Sequence, residues 1–498
     1  MRFSRLVRLP ILLAAAVATS VAHPQQPFNL DVSFSTSIGQ QYVSSVLPLA
    51  DGSVVASGIM RFDGELSDMR LVKLLPSGTR DESFYNSGLG QGKLVPWDSG
   101  LFYVASASTV RRILPTGYQD PAFIALNSGP YFSSFQGGDY HVFEDGRVVL
   151  GGRHMLSDSI RGFVGAHCLT WFSNQGYLDT TRTHRPCNGV LTTMKELPNG
   201  QFMGSGSMST WEGQPASRIF RFNADGSLDP AFQANAIWGA AYCFLPLPDG
   251  RVYAGGQFRI AGIPDTLNLV RFMPDGALDA SFDNTVRYRF EDLLHPELPP
   301  WGLVRTVYPL NGEQLIVTGN FSHINGVPRG GIALVDDSGS LLNDYFTGEG
   351  CGGYFYQPNT SQPPVSYARV VSGIAPSPDG QYFIWGAYHG YDDGTTNDTL
   401  QRMVSRLHGF NVRVPEVKQV HLRAYPNPAK DNITIEIAEF LRGATAVLRD
   451  AWGREVLRQE LTEQATHLST RTLSNGIYSI QLLSTGRSVD SQRLFICR

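Results

Sequence analysis

From residue 23 to about 410, short apolar stretches alternate with turn signals in a repeating order. An apolar segment runs into Asp-Gly, Asn-Gly or Ser-Gly, and a second apolar segment follows, often ending in glycine. The instances are VLPLADGSVVASG (46–58), VPWDSGLFYVAS (95–106), HVFEDGRVVLGG (141–152), KELPNGQFMGSG (195–206), LPLPDGRVYAGG (245–256), YPLNGEQLIVTG (308–319) and APSPDGQYFIWG (375–386). Their turn glycines lie 46 to 68 residues apart, a spacing that suits one propeller blade of short strands. Between these hairpins a second pattern recurs, in which a strand and a Gly-containing turn are followed by D-x-x-F. It is clearest in FRFNADGSLDPAF (220–232) and VRFMPDGALDASF (270–282). The pattern predicts two hairpins, hence four strands, per unit.

The phase of the two patterns carries further information. The seventh repeat ends at MVSRLHGF (403–410) without D-x-x-F, whereas LDVSF (30–34) stands alone ahead of the first. The fragments complement each other, so the expected fold is all-β: a seven-bladed β-propeller over 23–410, closed by its N-terminal strand with no sheet edge left bare. An open solenoid would instead carry capping repeats. The G-x-L-D-x-x-F and P-D-G-x-x-x-x-G-G-x-F motifs resemble the delta-60 β-propeller repeat of secreted bacterial proteins. That resemblance implies a fold and no particular reaction.

After a linker at 411–421 the chain changes character. Alternating Ile433, Ile435 and Ile437, then Val447, Val456 and Leu461, then Ile477, Ile480 and Leu482 predict about seven short strands, which suits a small Ig-like β-sandwich over 422–498. Three ordered motifs there, Tyr425-Pro426-Asn427-Pro428, Gly453 with Val456, and Leu473, Gly476 and Tyr478, resemble the C-terminal sorting domain (type A) of type IX secretion cargo. The resemblance implies a translocon and a sortase as partners, recognition at the outer membrane of a Bacteroidota-like cell, and removal of the domain on export. The ending Arg493-Leu494-Phe495-Ile496-Cys497-Arg498 matches the usual terminal pattern only in part.

At the other end, Arg2, Arg5 and Arg8 precede an apolar run to Ala22, with Ser20 and Ala22 at the small positions of a cleavage site. Residues 1–22 read as a signal peptide, and nothing later is long and apolar enough to span a membrane as a helix. The expected location is therefore secreted or outer surface. Five cysteines are too few for a disulfide scaffold. Cys168 and Cys187 lie on either side of one connection and are either a bridge or two buried thiols.

Composition narrows function mainly by exclusion. Charged residues make up 17% of the 498 and the net charge is −4, leaving no basic footprint for nucleic acid. Gly and Pro, about 16% together, fall short of low-complexity disorder. No HExxH, P-loop, G-x-S-x-G or helix-opening GxGxxG occurs, and no two of the eleven histidines are spaced i, i+4. GSGSMSTW (204–211) reads as a loop. The acidic residues around Asp225, Asp229, Asp275 and Asp279 recur as turns, whereas Asp392, Asp393, Asn397 and Asp398 crowd one Gly-containing loop and are the candidate calcium site; no other cofactor is expected.

The long connections should share one face of the ring, the natural binding face. Its largest insertions, Asp283–Trp301 and Thr347–Tyr367, with neighbouring loops, supply the candidate ligand-binding aromatics Trp211, Tyr288, Trp301, Tyr354, Tyr356, Tyr388 and Tyr391, expected to stack on a glycan or anchor a surface protein. The expected function is a secreted or surface binding module. A propeller hydrolase or lyase is the alternative, weakened by inner strands of mainly small and apolar residues with Arg305 and Arg369; a structural surface component is the third.

Overall fold

The computed structural model describes residues 26–85, 88–106, 109–124, 131–357, 363–392, 401–410, 422–437, 444–450, 454–461, 463–484 and 487–497. The expected leader and linker lie outside these residues. The described chain is all-β apart from one 3-10 turn at Asp98–Gly100, and it divides into two compact units at Asn411/Val412. No helix among the described residues is long and apolar enough to cross a membrane.

Among its described residues, alongside three smaller sheets in the connections (Tyr288–Arg289 with His323–Ile324 and Val327–Pro328, Thr210–Trp211 with Gln214–Pro215, and Tyr354–Tyr356 with Ser366–Ala368), the first unit repeats one plan in seven three-stranded antiparallel sheets. In chain order these are Ile38–Pro48, Val54–Phe62 and Met69–Leu74; Leu94–Pro96, Phe102–Ser106 and Thr109–Ile113; Phe132–Val142, Val148–Asp158 and Phe163–Phe172; Leu191–Glu196, Phe202–Gly206 and Ile219–Phe222; Ala236–Pro246, Val252–Ile260 and Leu267–Phe272; Leu303–Asn311, Gln314–Asn320 and Ile332–Asp336; and Val370–Pro376, Tyr382–His389 and Arg402–Leu407. The first turn of a sheet is fixed locally. In five of the seven an Asp or Asn carboxyl or amide oxygen (Asp51, Asp145, Asn199, Asp249, Asp379) accepts the N–H two residues on, and the adjoining glycine takes positive φ.

A full fourth strand is predicted, but the described chain forms only a single bridge there: Leu74 with Arg80, Ile113 with Gln119, Phe172 with Leu178, Phe222 with Leu228, Phe272 with Leu278 and Val335 with Leu341. The strand stops because the Asp of D-x-x-F turns the backbone. One oxygen of Asp229 accepts the Ala231 N–H at 3.0 Å, and one of Asp279 accepts the Ser281 N–H at 2.9 Å. In the seventh sheet the bridge joins Leu407 to Leu30, so the N-terminal segment occupies the missing place.

The other oxygen of the same Asp builds a latch. It pairs with an arginine on the third strand: Arg112–Asp120 at 2.6 Å, Arg221–Asp229 and Arg271–Asp279 at 2.7 Å, and Arg406–Asp31 at 2.8 Å. Each guanidinium also lies over the motif phenylalanine, Phe123, Phe232, Phe282 or Phe34, and donates to a turn carbonyl of the following sheet, that of Asn174, Pro274, Asp337 or Pro76. The last of these runs from the seventh sheet back to the first. Burial raises the Asp279 carboxyl, but hydrogen bonds from Ser281, Arg251 and Arg271 outweigh it and hold the group well below the ordinary carboxylate range. In the third and sixth sheets Trp171 and Leu334 stand at the arginine position.

The described residues of the C-terminal unit form seven strands in two sheets. Leu422–Tyr425, Asn432–Ile437 and Ala465–Ser469 form one; Glu455–Glu460, Thr445–Arg449, Gly476–Ser484 and Arg487–Ile496 form the other. Ile433, Ile435 and Ile437 from the first meet Ala446, Leu448, Ile480, Leu482 and Leu494 from the second in one core. Val456 and Ile477, expected among the apolar alternation, are solvent-exposed because they fall on the opposite face of the pleat. Leu473 and Tyr478 are buried, the latter donating to the Ser474 carbonyl, while Tyr425 is exposed and Gly453 lies outside the described residues. Asn427 of the first motif clamps the last strand: its amide donates to the Arg493 carbonyl at 2.7 Å and accepts the Phe495 N–H at 2.8 Å.

Candidate ligand-binding channel

The first strand of six of the sheets slips register at an equivalent place. The breaks lie at Val43/Ser45, Gly137/Tyr140, Leu191/Thr193, Ala241/Cys243, Val304/Thr306 and Val371/Gly373. In the remaining sheet, the second, Ala105 serves both Gly92 and Lys93, accepting one N–H and donating to the other carbonyl. Such a bulge lifts one residue out of the ladder and re-aims its side chain. The residues so displaced are Ser44, Lys93, Asp139, Thr192, Tyr242, Arg305 and Ser372, and all seven line a single cavity of about 790 Å³.

The glycine that closes the repeat's second strand makes room for the bulge. A β-carbon on Gly256 would strike the Ala240 carbonyl, one on Gly386 the Val370 carbonyl, and Gly58, Gly206 and Gly319 stand in the same relation to their first strands. Strand glycine marks close backbone approach.

The channel's charges are unevenly compensated. Asp139 accepts from Lys93 Nζ at 3.0 Å, from its neighbour Tyr140 N–H at 2.8 Å and from Met194 N–H at 3.1 Å, so these two opposite charges offset each other. Arg305 lies 5.8 Å from the ring centre of Tyr242, and among the described residues no carboxylate stands within ion-pair distance of it. Burial lowers its pKa, with Tyr242 and Tyr42 opposing. Solvent nonetheless reaches its side chain. The Ser44 hydroxyl sits between the Gln91 and Ser57 carbonyls and donates to them, the Thr192 hydroxyl donates to the Ser205 carbonyl, and neighbouring Thr306 donates to that of Ser372.

Four residues before Tyr242 and Arg305 stand Trp238 and Trp301; Trp238 shares the strand of Tyr242 and lies about 13 Å from it by strand rise, toward the long-connection end, and Trp301 lies just ahead of the strand that carries Arg305. They are 40% and 52% exposed, with ring centres 6.2 Å apart at 68°, and Arg259 lies over Trp238 at 5.4 Å. Trp238, Tyr242, Arg218 and Gln257 also line an adjoining cavity of about 360 Å³.

Most of the aromatics expected on this face are packed inside. Trp211 is fully buried between Phe220 and Phe222 and donates to the Gly226 carbonyl at 3.0 Å. Tyr288 is buried against Phe321, Tyr354 stacks on His389 at 4.4 Å, and Tyr388 is buried with its hydroxyl on Ser405 Oγ at 2.9 Å. Half-buried Tyr391 donates to the Phe28 carbonyl at 2.6 Å, and half-buried Tyr356 accepts from Gln41 Nε2 at 3.0 Å. The long connections fold back on the sheets and use their rings as internal packing. Trp301 alone of the seven is broadly exposed.

Sequence reasoning missed Trp238, Tyr242 and Arg218. Of the calcium candidates, Asp392 is half-buried, while Asp393, Asn397 and Asp398 lie outside the described residues. Among the described residues no group of three or more His, Cys, Asp or Glu side chains is placed to hold a metal. Cys168 and Cys187 form a disulfide with Cα atoms 5.6 Å apart, tying the third sheet to the connection that follows it.

Comparison with known proteins bears on both units. The profile of the secretion system C-terminal sorting domain matches residues 423–496, and that of a β-propeller domain of unknown function, DUF5122, matches 49–84, 197–232 and 247–282. No curated protein matches the chain. Among solved structures, PorZ, a surface component of the type-IX secretion system of Porphyromonas gingivalis, superposes at 13% identity and a TM-score of 0.33, over 90% of this chain and 68% of its own. The extracellular domain of BT4673 from Bacteroides thetaiotaomicron gives 11% identity and 0.39, over 95% and 58%. XC5397 from Xanthomonas campestris, a gluconolactonase, gives 12% and 0.35, over 60% and 93%. The chain therefore joins β-propeller repeats of the DUF5122 kind to a secretion system C-terminal sorting domain.

Proposed function

We propose that the seven sheets are the blades of a closed seven-bladed β-propeller, that an Ig-like sandwich over 422–498 exports it by the type IX route after removal of a leader at 1–22, and that the mature protein binds a ligand at the cell surface or outside it. The observation that carries the binding reading is the channel: one displaced residue from every sheet converges on one cavity, of a volume typical of ligand sites, beneath exposed indoles. Hydrolysis of a glycosidic bond ordinarily takes two carboxylates, and Asp139, the single carboxylate among the described lining residues, is occupied by three donors. That favours binding over catalysis.

The test is retention of glycans and of surface proteins by the purified chain, run beside a hydrolysis screen on the same glycans. Retention without turnover is expected, and turnover would put the hydrolase first. Mass spectrometry of the surface-exposed form tests the route: peptides beyond about residue 420 should be missing from it, and their persistence in protein held inside the outer membrane would overturn the sorting step.

A further inference from the structure

Building on the binding reading, we infer that the channel takes an acidic oligosaccharide, whose carboxylate seats on Arg305 while a neutral ring further along stacks at the mouth on Trp238 and Trp301. Three observations converge on that ligand. The cavity's charged lining residues are Lys93, Asp139 and Arg305; the first two are paired, so the site carries one uncompensated positive charge. A guanidinium that lines a cavity without a carboxylate beside it gains most from an anion that supplies one, through a charge-assisted and often bidentate bond. The Tyr242 ring lies within cation–π distance of it.

The remainder of the wall suits a sugar better than an apolar ligand. Ser44, Ser45, Thr192, Thr193, Thr306 and Ser372 present hydroxyls around the channel, and Tyr42 and Tyr242 add phenols. The mouth supplies the complementary surface, since exposed indoles offer flat apolar faces for the C–H side of a pyranose. The distance from the Arg305 layer to the indoles is too long for one monosaccharide and is spanned by a short chain of sugars. Arg218 and Arg259 beside the mouth add positive charge that draws the acidic end inward.

The experiment is calorimetric titration of the full chain with a panel of uronate- and sialate-bearing tri- and tetrasaccharides, each paired with its carboxyl-reduced form, and with sulfated oligosaccharides as a separate arm. At least one carboxylate member should bind, and its reduced form should bind about 10- to 100-fold more weakly. R305Q should abolish that difference and R305K should retain part of it, with melting temperatures unchanged because Arg305 holds no ion pair in the fold. W238A should weaken acidic and reduced forms alike. Equal binding of both forms, or an undiminished acid preference in R305Q, overturns the inference while leaving a glycan-binding module in place. Preference for the sulfated arm overturns the carboxylate assignment. No retention of any glycan overturns the inference, and the binding reading then stands or falls on the surface-protein arm of its own test.

Discussion

The turn face and the channel wall of the first unit are built from the same repeats and behave oppositely. At the turns, D-x-x-F recurs with nearly the same contacts from sheet to sheet: Arg112, Arg221, Arg271 and Arg406 each hold an aspartate, cover a phenylalanine and reach a carbonyl of the next sheet. At the bulge of the inner strand the backbone recurs while the side chain varies, through Ser44, Lys93, Asp139, Thr192, Tyr242, Arg305 and Ser372, with serine alone used twice. What repeats ties one sheet to the next. What departs from the repeat at a fixed position distinguishes the cavity chemically.

That contrast can be broken from either side. The largest effect should come from acid acting where the arginine latch is absent. In the third sheet His154, and in the connection that follows it His184, are buried, and burial is the main cause lowering both to about 4, with His167 lowered in the same direction. An unfolded histidine takes a proton near pH 6.5 and these do not, so their stabilisation is complete above pH 6.5 and is lost as pH falls toward 4. The loss should reach roughly 2–3 kcal/mol for each of the two, read by denaturant titration between pH 7 and 4.5, and H154Q should flatten the profile. A stability independent of pH over that range would remove the distinction between the third sheet and its neighbours.

Next in size, R271A removes one of the two arginines that hold buried Asp279 and cuts the links to Tyr253 and Asp337; it should cost about 3–5 kcal/mol. Calorimetric melting measures this, and binding at the channel should survive at temperatures where the variant is folded. Reducing the Cys168–Cys187 bridge, which spans 19 residues, should cost about 3 kcal/mol, measured as a lower melting temperature in reductant. Smallest on stability is R305Q, within about 0.5 kcal/mol, since nothing in the fold depends on that charge. A large loss there would mean that the channel wall is as structural as the turns.

Much of the architecture could be read from the chain because it is written locally. The Asx-Gly hairpins, the D-x-x-F turns and the complementary phase of LDVSF (30–34) and MVSRLHGF (403–410) all depend on residues close in sequence. The candidate site was harder to read because exposure is decided by what packs from elsewhere. Trp211 and Trp238 both precede or follow glycine-rich strands, yet one is enclosed by Phe220 and Phe222 and the other stands at the mouth. Strict two-residue alternation also misassigns Tyr242 and Arg305, since a bulge shifts the facing of every residue beyond it. The signal was present in the glycine closing each second strand, such as Gly256, which admits the bulge opposite.

The bridge between Leu30 and Leu407, with Arg406 on Asp31, has a consequence for the order of events in the cell. Asp31 and Arg406 are 375 residues apart, so the final sheet cannot form until nearly the whole unit has emerged. A chain cut short before that point keeps a bare strand edge, the kind of surface that chaperones and proteases recognise. The sorting domain lies beyond residue 407, so every chain that carries the export address has already made both halves of the clasp. The order of the sequence thereby ties possession of the sorting domain to possession of both partners of the Leu30–Leu407 bridge.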